Sequence, residues 1–324
     1  MQLATGDTMT RIFHATDPHG NELIWKKYLK TSVYYKADII MLCGDLTGKA
    51  IVPFVKKGDS EWYSSPYGKV ETYYCREEVN KKMESIRDQG FYAVELSRSD
   101  VEQFQKDEKK MDALFENVMK DTVDRWMTMV EERVPKEVKV LVNPGNDDSF
   151  AIDEVIKKHE RILYPLQKVV DIDGSHRLIS CDWVNPTPWK TPRECSEDEL
   201  LRKLEREFGR VEAFDNLICN FHAPPYGTQL DLAPKLDKDL RPVSHFGNPE
   251  MENVGSKAVK EAILKYQPLL GLHGHIHDSI AHMYLGRTLC VNPGSDYRKG
   301  LLRGYVVDLP TPGKPKIECW RVEG

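Results

Sequence analysis

His273–Gly274–His275–Ile276–His277 is the densest cluster of chemistry-bearing side chains in the sequence. It follows an apolar run, Pro268 to Leu272, so it falls where a short buried strand ends and a loop begins. Gly274 permits a sharp turn, after which His275 and His277 can reach a common point, and imidazole is the commonest side-chain ligand for transition metals. Four further loops carry similar groups: Asp17–Pro18–His19–Gly20, Gly44–Asp45, Pro144–Gly145–Asn146–Asp147–Asp148, and His222 before Ala223–Pro224–Pro225. Taken singly, Asp or Asn beside glycine is ordinary turn chemistry, and a lone histidine is usually a hydrogen-bonded structural residue. Together, at successive strand ends, they are the inventory two cations need. A carboxylate can bridge, imidazoles can serve each ion, and an amide can reach both metal and substrate. The pattern points to a two-metal hydrolase.

The elements that must position these loops alternate. Strands are expected at Ile12–Thr16, Ala37–Cys43, Val138–Val142, Arg177–Trp183 and Leu217–Phe221, with a helix over 21–35. A helix over 256–267 stops before Pro268. The C-terminal third reads as strands at Leu269–Leu272, Thr288–Val291, Gly304–Leu309 and Lys316–Arg321. Alternating strands and helices followed by a run of strands imply an α/β protein with mixed sheets. Ligand sites in such sheets lie outside the carboxyl ends of the strands, where the five loops fall. Residues 50–98 mix aromatics and charges without a clean period. Beyond them, Ser99 with Glu102 reads as a capping box opening one long helix to about Arg133. Its apolar stripe includes Met111, Phe115 and Trp126.

The chain has 324 residues, 40% hydrophobic and 30% charged, as in soluble globular proteins. No apolar run approaches the roughly 18 residues that suggest a membrane span. A formal net charge of −5 offers no basic field for nucleic acid or membrane surfaces. The seven cysteines are odd in number, and none is spaced C-x-x-C. Several lie inside strand-like runs, which reads as buried free thiols in a cytoplasmic protein. Residues 1–8 are expected to be a leader of uncertain relevance.

The five motifs resemble those of the calcineurin-like metallophosphoesterases, whose pattern is D-x-H, G-D, G-N-H-D/E, a lone H and G-H-x-H. The match runs from Asp17 to His277. The resemblance implies a four-layer α/β/β/α sandwich of two mixed sheets over residues 9–324, with 50–135 a largely helical insertion. It implies that Asp17, His19, Asp45 and His277 hold one divalent ion and that Asp45, Asn146, His222 and His275 hold the other. The ions would be manganese, iron, zinc, cobalt or nickel. The implied activity is phosphoester hydrolysis by a hydroxide bridging the two metals, with Asn146 stabilising the phosphoryl charge. An Asn292–Pro293–Gly294–Ser295 segment is similar to one in the superfamily's small phosphodiesterases.

Two departures matter. Asp147 replaces the family's G-N-H histidine, its usual proton donor and phosphate contact. A carboxylate beside two dications is expected to stay ionised near neutral pH and to repel a dianionic monoester more than a monoanionic diester. The expected substrate is therefore a small phosphodiester of nucleotide type, with Asn146 and Asp147 the catalytic residues. Asp45 is followed by Leu46–Thr47–Gly48 and not by the arginine-bearing extension of phosphoprotein phosphatases. A phosphomonoesterase and a catalytically weak interaction scaffold are the alternatives. His14, His159, His176 and His282 read as structural or surface residues. His245, Tyr297 and Arg298 are weaker candidates for substrate contact, and self-association through the insertion is left open.

Overall fold

Two six-stranded sheets built from the short apolar runs carry the five loops. The computed structural model describes residues 9–311 and 316–324, so the proposed leader, 1–8, lies outside the described residues. The first sheet has the order Glu318–Glu323, Arg303–Asp308, Arg11–Ala15, Ile39–Cys43, Lys139–Asn143, Ile162–Leu163. The second has the order Ala281–Leu285, Thr288–Asn292, Leu270–Leu272, Leu217–Phe221, Arg177–Cys181, Val170–Asp171. The inner strands of each run parallel, whereas Arg303–Asp308 and the Ala281 and Val170 edges pair antiparallel.

Strand periodicity sorts the side chains into layers. Ile12, Ile39, Met41 and Leu141 of the first sheet meet Leu178, Ile218, Leu270 and Leu289 of the second. The alternate residues Phe13, Ile40, Leu42, Val140 and Val142 face helices that include Glu22–Tyr28 and Glu108–Arg133. Ile179, Leu217, Cys219 and Phe221 face the helices Glu197–Phe208 and Lys257–Tyr266. Helices, sheet, sheet, helices is the expected four-layer sandwich. Apolar residues on both faces of one strand explain the near-continuous hydrophobic runs.

The segment 50–135 holds more than helices. Glu71–Tyr73, Trp62–Ser64, Ile51–Lys56 and Tyr92–Ser97 form a third, four-stranded sheet with its own small core of Phe54, Trp62, Tyr73, Val79 and Ile86. The expected single helix from 99 is two, Arg98–Lys106 and Glu108–Arg133. Asp107 is extended between them and its carboxylate accepts from Lys110 N–H, so it caps the second helix and cannot continue the first. The capping box uses Ser97 and Asp100, not Ser99 and Glu102. The buried stripe is Met119–Val123–Trp126–Met127–Val130, displaced from the expected one; Met111 is exposed and Phe115 partly buried. This stripe packs on the main body, where Trp126 stacks on Trp25 at 4.7 Å and Arg125 pairs with buried Glu22 at 2.5 Å. The helix expected over 21–35 is likewise two, Glu22–Tyr28 and Thr31–Tyr35.

Candidate metal centre

Each motif sits immediately beyond a first- or second-sheet strand, and backbone bonds stitch the loops together. His19 N–H donates to the Asp45 carbonyl at 3.0 Å, Gly20 N–H to Leu46 at 2.8 Å, and Gly274 N–H to His222 at 3.0 Å. His275 N–H donates to Asp17 Oδ2 at 2.9 Å, joining the first and last motifs. The strand ends approach closely because glycines lie between them. A Cβ on Gly145 would stand 2.3 Å from Asp45, and one on Gly274 would stand 2.2 Å from Thr16 Oγ1. Asp17, His19, Asp45 and His275 all adopt positive φ. Such backbone costs of order 1–3 kcal/mol per residue and clusters at functional sites.

Two groups of side chains converge. One ligand atom each from Asp17, His19, Asp45 and His277 lies within 4.8 Å of the others, and so do atoms of Asp45, His222 and His275. Asp45 belongs to both groups. Asn146 Oδ1 accepts from His222 Nε2 at 3.0 Å, which brings the amide into the second group. Its Nδ2 donates to Thr191 Oγ1 at 2.8 Å. His19 Nε2 and His277 Nε2 face each other at 3.0 Å.

The electrostatics suit a cation at these points. Burial pushes the Asp17 carboxyl up to about 7. Burial opposes a charge on His222, yet Asp17 and Asp45 outweigh it and hold that imidazole up at about 9. Burial also resists ionising Asp45, but His222 and His19 keep its carboxyl well below the usual range. Burial lowers His275 to about 3 and His277 to about 4, and carries His19 well down, so these three are neutral and able to ligate. Among the described residues Asp17 Oδ1 has no hydrogen-bond partner although it is buried. Two buried carboxylates, an amide and four imidazoles facing common points suit divalent ions of borderline character.

No protein-family profile matches the chain. An uncharacterised protein of Methanocaldococcus jannaschii is 31% identical over 159 residues, which cover 48% of this chain and 64% of that protein. The chain therefore spans less than two thirds of the curated relative it matches. A crystal structure covering 97% of this chain and 99% of its own superposes with TM-score 0.58 at 16% identity. TT1561 of Thermus thermophilus does so with TM-score 0.51 at 14% identity, again over 97% and 99%. An archaeal phosphodiesterase aligns over 97% of this chain and all of its own at 10% identity, with TM-score 0.38. The layer order, strand-end motifs and paired donor clusters now stand together. The chain has a four-layer α/β/β/α sandwich fold with paired donor clusters at its strand ends.

Within that fold the remaining candidates separate. His273 is structural: its Nδ1–H donates to the carbonyls of Phe221 and Ala223, while His14 Nε2–H donates to His273's own carbonyl at 3.1 Å. His159 pairs with Glu131 and Asp124, His176 with Asp173, and His282 with Tyr305. His245 is exposed on a small hairpin against Glu250 and is not brought to the cluster. Tyr297 is brought there, its ring centroid 4.5 Å from that of His19 and 5.7 Å from that of His277. Asn292 Nδ2 donates to the carbonyls of Gly274 and Ile276, which fixes the histidine loop from below.

The sequence pattern missed three contributors. Asp148 is fully buried, and its carboxylate accepts from the backbone N–H of Leu46, Thr47 and Gly145 and from the Thr47 hydroxyl. It locks the second motif to the third. Arg193 is buried against Asp153 and Asp182 and donates to the carbonyls of Asp148 and Ser149. Lys49 lies 2.5 Å from Asp147 Oδ2. Asp148 could have been suspected from its place in the third motif. Arg193 and Lys49 carry no local signal. Burial and Asp45 raise the Asp147 carboxyl against the pull of Lys49, whereas its expected ionisation rests on the charge of two nearby dications.

Proposed function

We propose that the protein is a dinuclear metal-dependent phosphoesterase that prefers phosphodiesters. The observation that carries this reading is the pair of donor clusters sharing Asp45. Asp17, His19, Asp45 and His277 would hold one ion, and Asp45, Asn146, His222 and His275 the other. When bound, the ions would supply Lewis-acid activation of water near neutral pH and neutralise charge on the phosphoryl oxygens. Asn146 presents a side-chain amide at the edge of the second cluster, and its contact with Thr191 fixes the amide plane. That is a pre-positioned dipole for a phosphoryl oxygen.

Asp147 supports the diester preference. The lip of the site carries a carboxylate–ammonium pair of near-zero net charge where the related pattern has a histidine able to be cationic. A dianionic monoester gains less from a neutral pair than from a cation, and a monoanionic diester loses less by the exchange. The competing reading is a scaffold that keeps the fold without catalysis. A complete donor set favours the enzyme. Buried free thiols at Cys43, Cys181, Cys219 and Cys290 fit a reducing cytoplasm.

The test is a panel of monoesters, linear diesters and cyclic nucleotides assayed with each divalent metal. The expected result is faster turnover of a diester than of the matching monoester, with Asp147→His shifting the ratio of kcat/KM towards monoesters. A monoester hydrolysed faster than its diester under every metal would overturn the preference. No hydrolysis of any ester by protein loaded with two ions would favour the scaffold.

A further inference from the structure

Lys49 stands beside the donor clusters and shares the lip of the site with Asp147. Its Nζ is 2.5 Å from Asp147 Oδ2, and the same oxygen is 3.7 Å from His19 Nδ1. His19 and His277 both feel its charge, and Asp45 and Tyr297 act on it in turn. The side chain is 60% exposed, so the ammonium is at the mouth of the site and open to solvent on one side. An exposed lysine usually sweeps a wide volume. This one is restrained at both ends. Asp147, whose own N–H donates to Asp45 Oδ1 at 2.8 Å, anchors the head.

The foot is anchored by the segment 50–135. Gly48 N–H donates to the Tyr92 hydroxyl at 2.8 Å, and Tyr92 N–H donates to the Ala50 carbonyl at 2.9 Å. A Cβ on Gly48 would lie 2.4 Å from the Gly90 carbonyl oxygen, and one on Gly20 would lie 2.7 Å from Gly48 Cα. The backbone leading into Lys49 is thus clamped between the first motif's loop and the end of the third sheet.

We propose that Lys49 is the phosphate-gripping residue of this site, its ammonium donating to a non-bridging phosphoryl oxygen while Asp147 positions it. The proposal rests on the phosphoesterase reading for its substrate. It divides between two residues the work that one histidine does in the related pattern. The ammonium contacts the anion, and the carboxylate aims the ammonium. It also assigns the 50–135 segment a role, since Tyr92 and Gly90 set where Lys49 begins.

Phosphate binding tests this without turnover. Protein reconstituted with two manganese ions is titrated with inorganic phosphate by calorimetry, alongside steady-state kinetics on an activated aryl diester. Lys49→Met should weaken phosphate binding about 10-fold and raise KM similarly, the loss of one charge-assisted hydrogen bond. Metal content and Tm should not change, and kcat should change less than KM. Lys49→Arg should restore most of the affinity. Lys49→Met combined with Asp147→Asn should bind phosphate more tightly than Lys49→Met alone, because the uncancelled carboxylate is gone. Unchanged phosphate affinity in a fully metallated Lys49→Met protein would overturn the proposal, as would a fall in Tm with affinity intact. An inactive wild type whose phosphate binding still depends on Lys49 would sink the enzymatic reading and leave this one standing.

Discussion

The rim of strand-end loops and the 50–135 segment follow opposite patterns of burial. The rim buries Asp17, His19, Asp45, Asn146, Asp148 and His222 almost completely and tolerates positive φ at four of its residues. The segment buries a modest apolar core and leaves most of its charges in solvent, in surface pairs such as Arg76–Glu95 and Lys82–Glu71. Polar burial of the first kind is costly unless every group is paired or aimed at a ligand. The lesson is that the rim's stability and its chemistry depend on the same residues, whereas the segment can be altered on its outer face without touching the site. The two regions meet at Tyr92–Gly48 and along Trp25–Trp126, so the comparison can be broken at those seams.

The largest effect is expected in the rim. Asp45→Asn puts a neutral amide where one carboxylate serves both clusters. Metal analysis should show fewer than two ions bound even in excess manganese, with turnover reduced at least about 10³-fold. Two ions retained with activity intact would remove Asp45 from the bridge. Wild-type protein that never binds two ions would count against the dinuclear reading altogether.

Next is the seam. Trp126 is 1% exposed and stacked on Trp25. Trp126→Ala should cost about 3–5 kcal/mol by denaturant unfolding, the usual penalty for emptying so large a core position. A loss below about 1 kcal/mol would mean that the long helix docks only weakly and that the two regions fold independently. Asp148→Ala follows. It leaves three backbone N–H groups and the Thr47 hydroxyl without their acceptor, at about 1–3 kcal/mol for each donor that stays buried and unpaired. Metal affinity should fall with stability, because the Asp45 loop is held by those bonds. Wild-type metal affinity in a destabilised Asp148→Ala protein would separate the two.

Legibility followed the same divide. The two sheets and the seven proposed ligands were readable because strand-end glycines, carboxylates and imidazoles announce themselves locally, and because buried strands are continuously apolar. Ile39–Cys43 and Leu217–Phe221 have no exposed face to interrupt the pattern. The third sheet was invisible for the converse reason. Trp62–Ser64 and Glu71–Tyr73 are three residues long, and Ile51–Lys56 contains Pro53. Alternation over such lengths cannot be told from chance. The break at Asp107 was missed because a run of good helix formers flanks it, and only the capping bond to Lys110 reveals that the chain restarts there. Lys49 was unreadable because its meaning lies in a contact with a residue about 100 positions away, made only when the second and third motifs come together.

The smallest effects test the outer face against the inner edge of the same segment. Lys109 lies exposed near the start of the long helix. Lys109→Ala should leave turnover within about twofold and stability within about 0.5 kcal/mol, as for surface positions generally. Tyr92→Phe removes one hydroxyl from a buried ring that still packs against Phe115. It leaves Gly48 N–H unsatisfied, at about 1–3 kcal/mol. If the segment holds Lys49 in place, Tyr92→Phe should raise KM for a diester by a few-fold with metal content unchanged, and the same change in a Lys49→Met background should add nothing. Equal silence from both would confine the segment to packing. A collapse of turnover in folded Lys109→Ala would mean that the outer face supplies a catalytic group, and the division between a chemical rim and a supporting segment would fail.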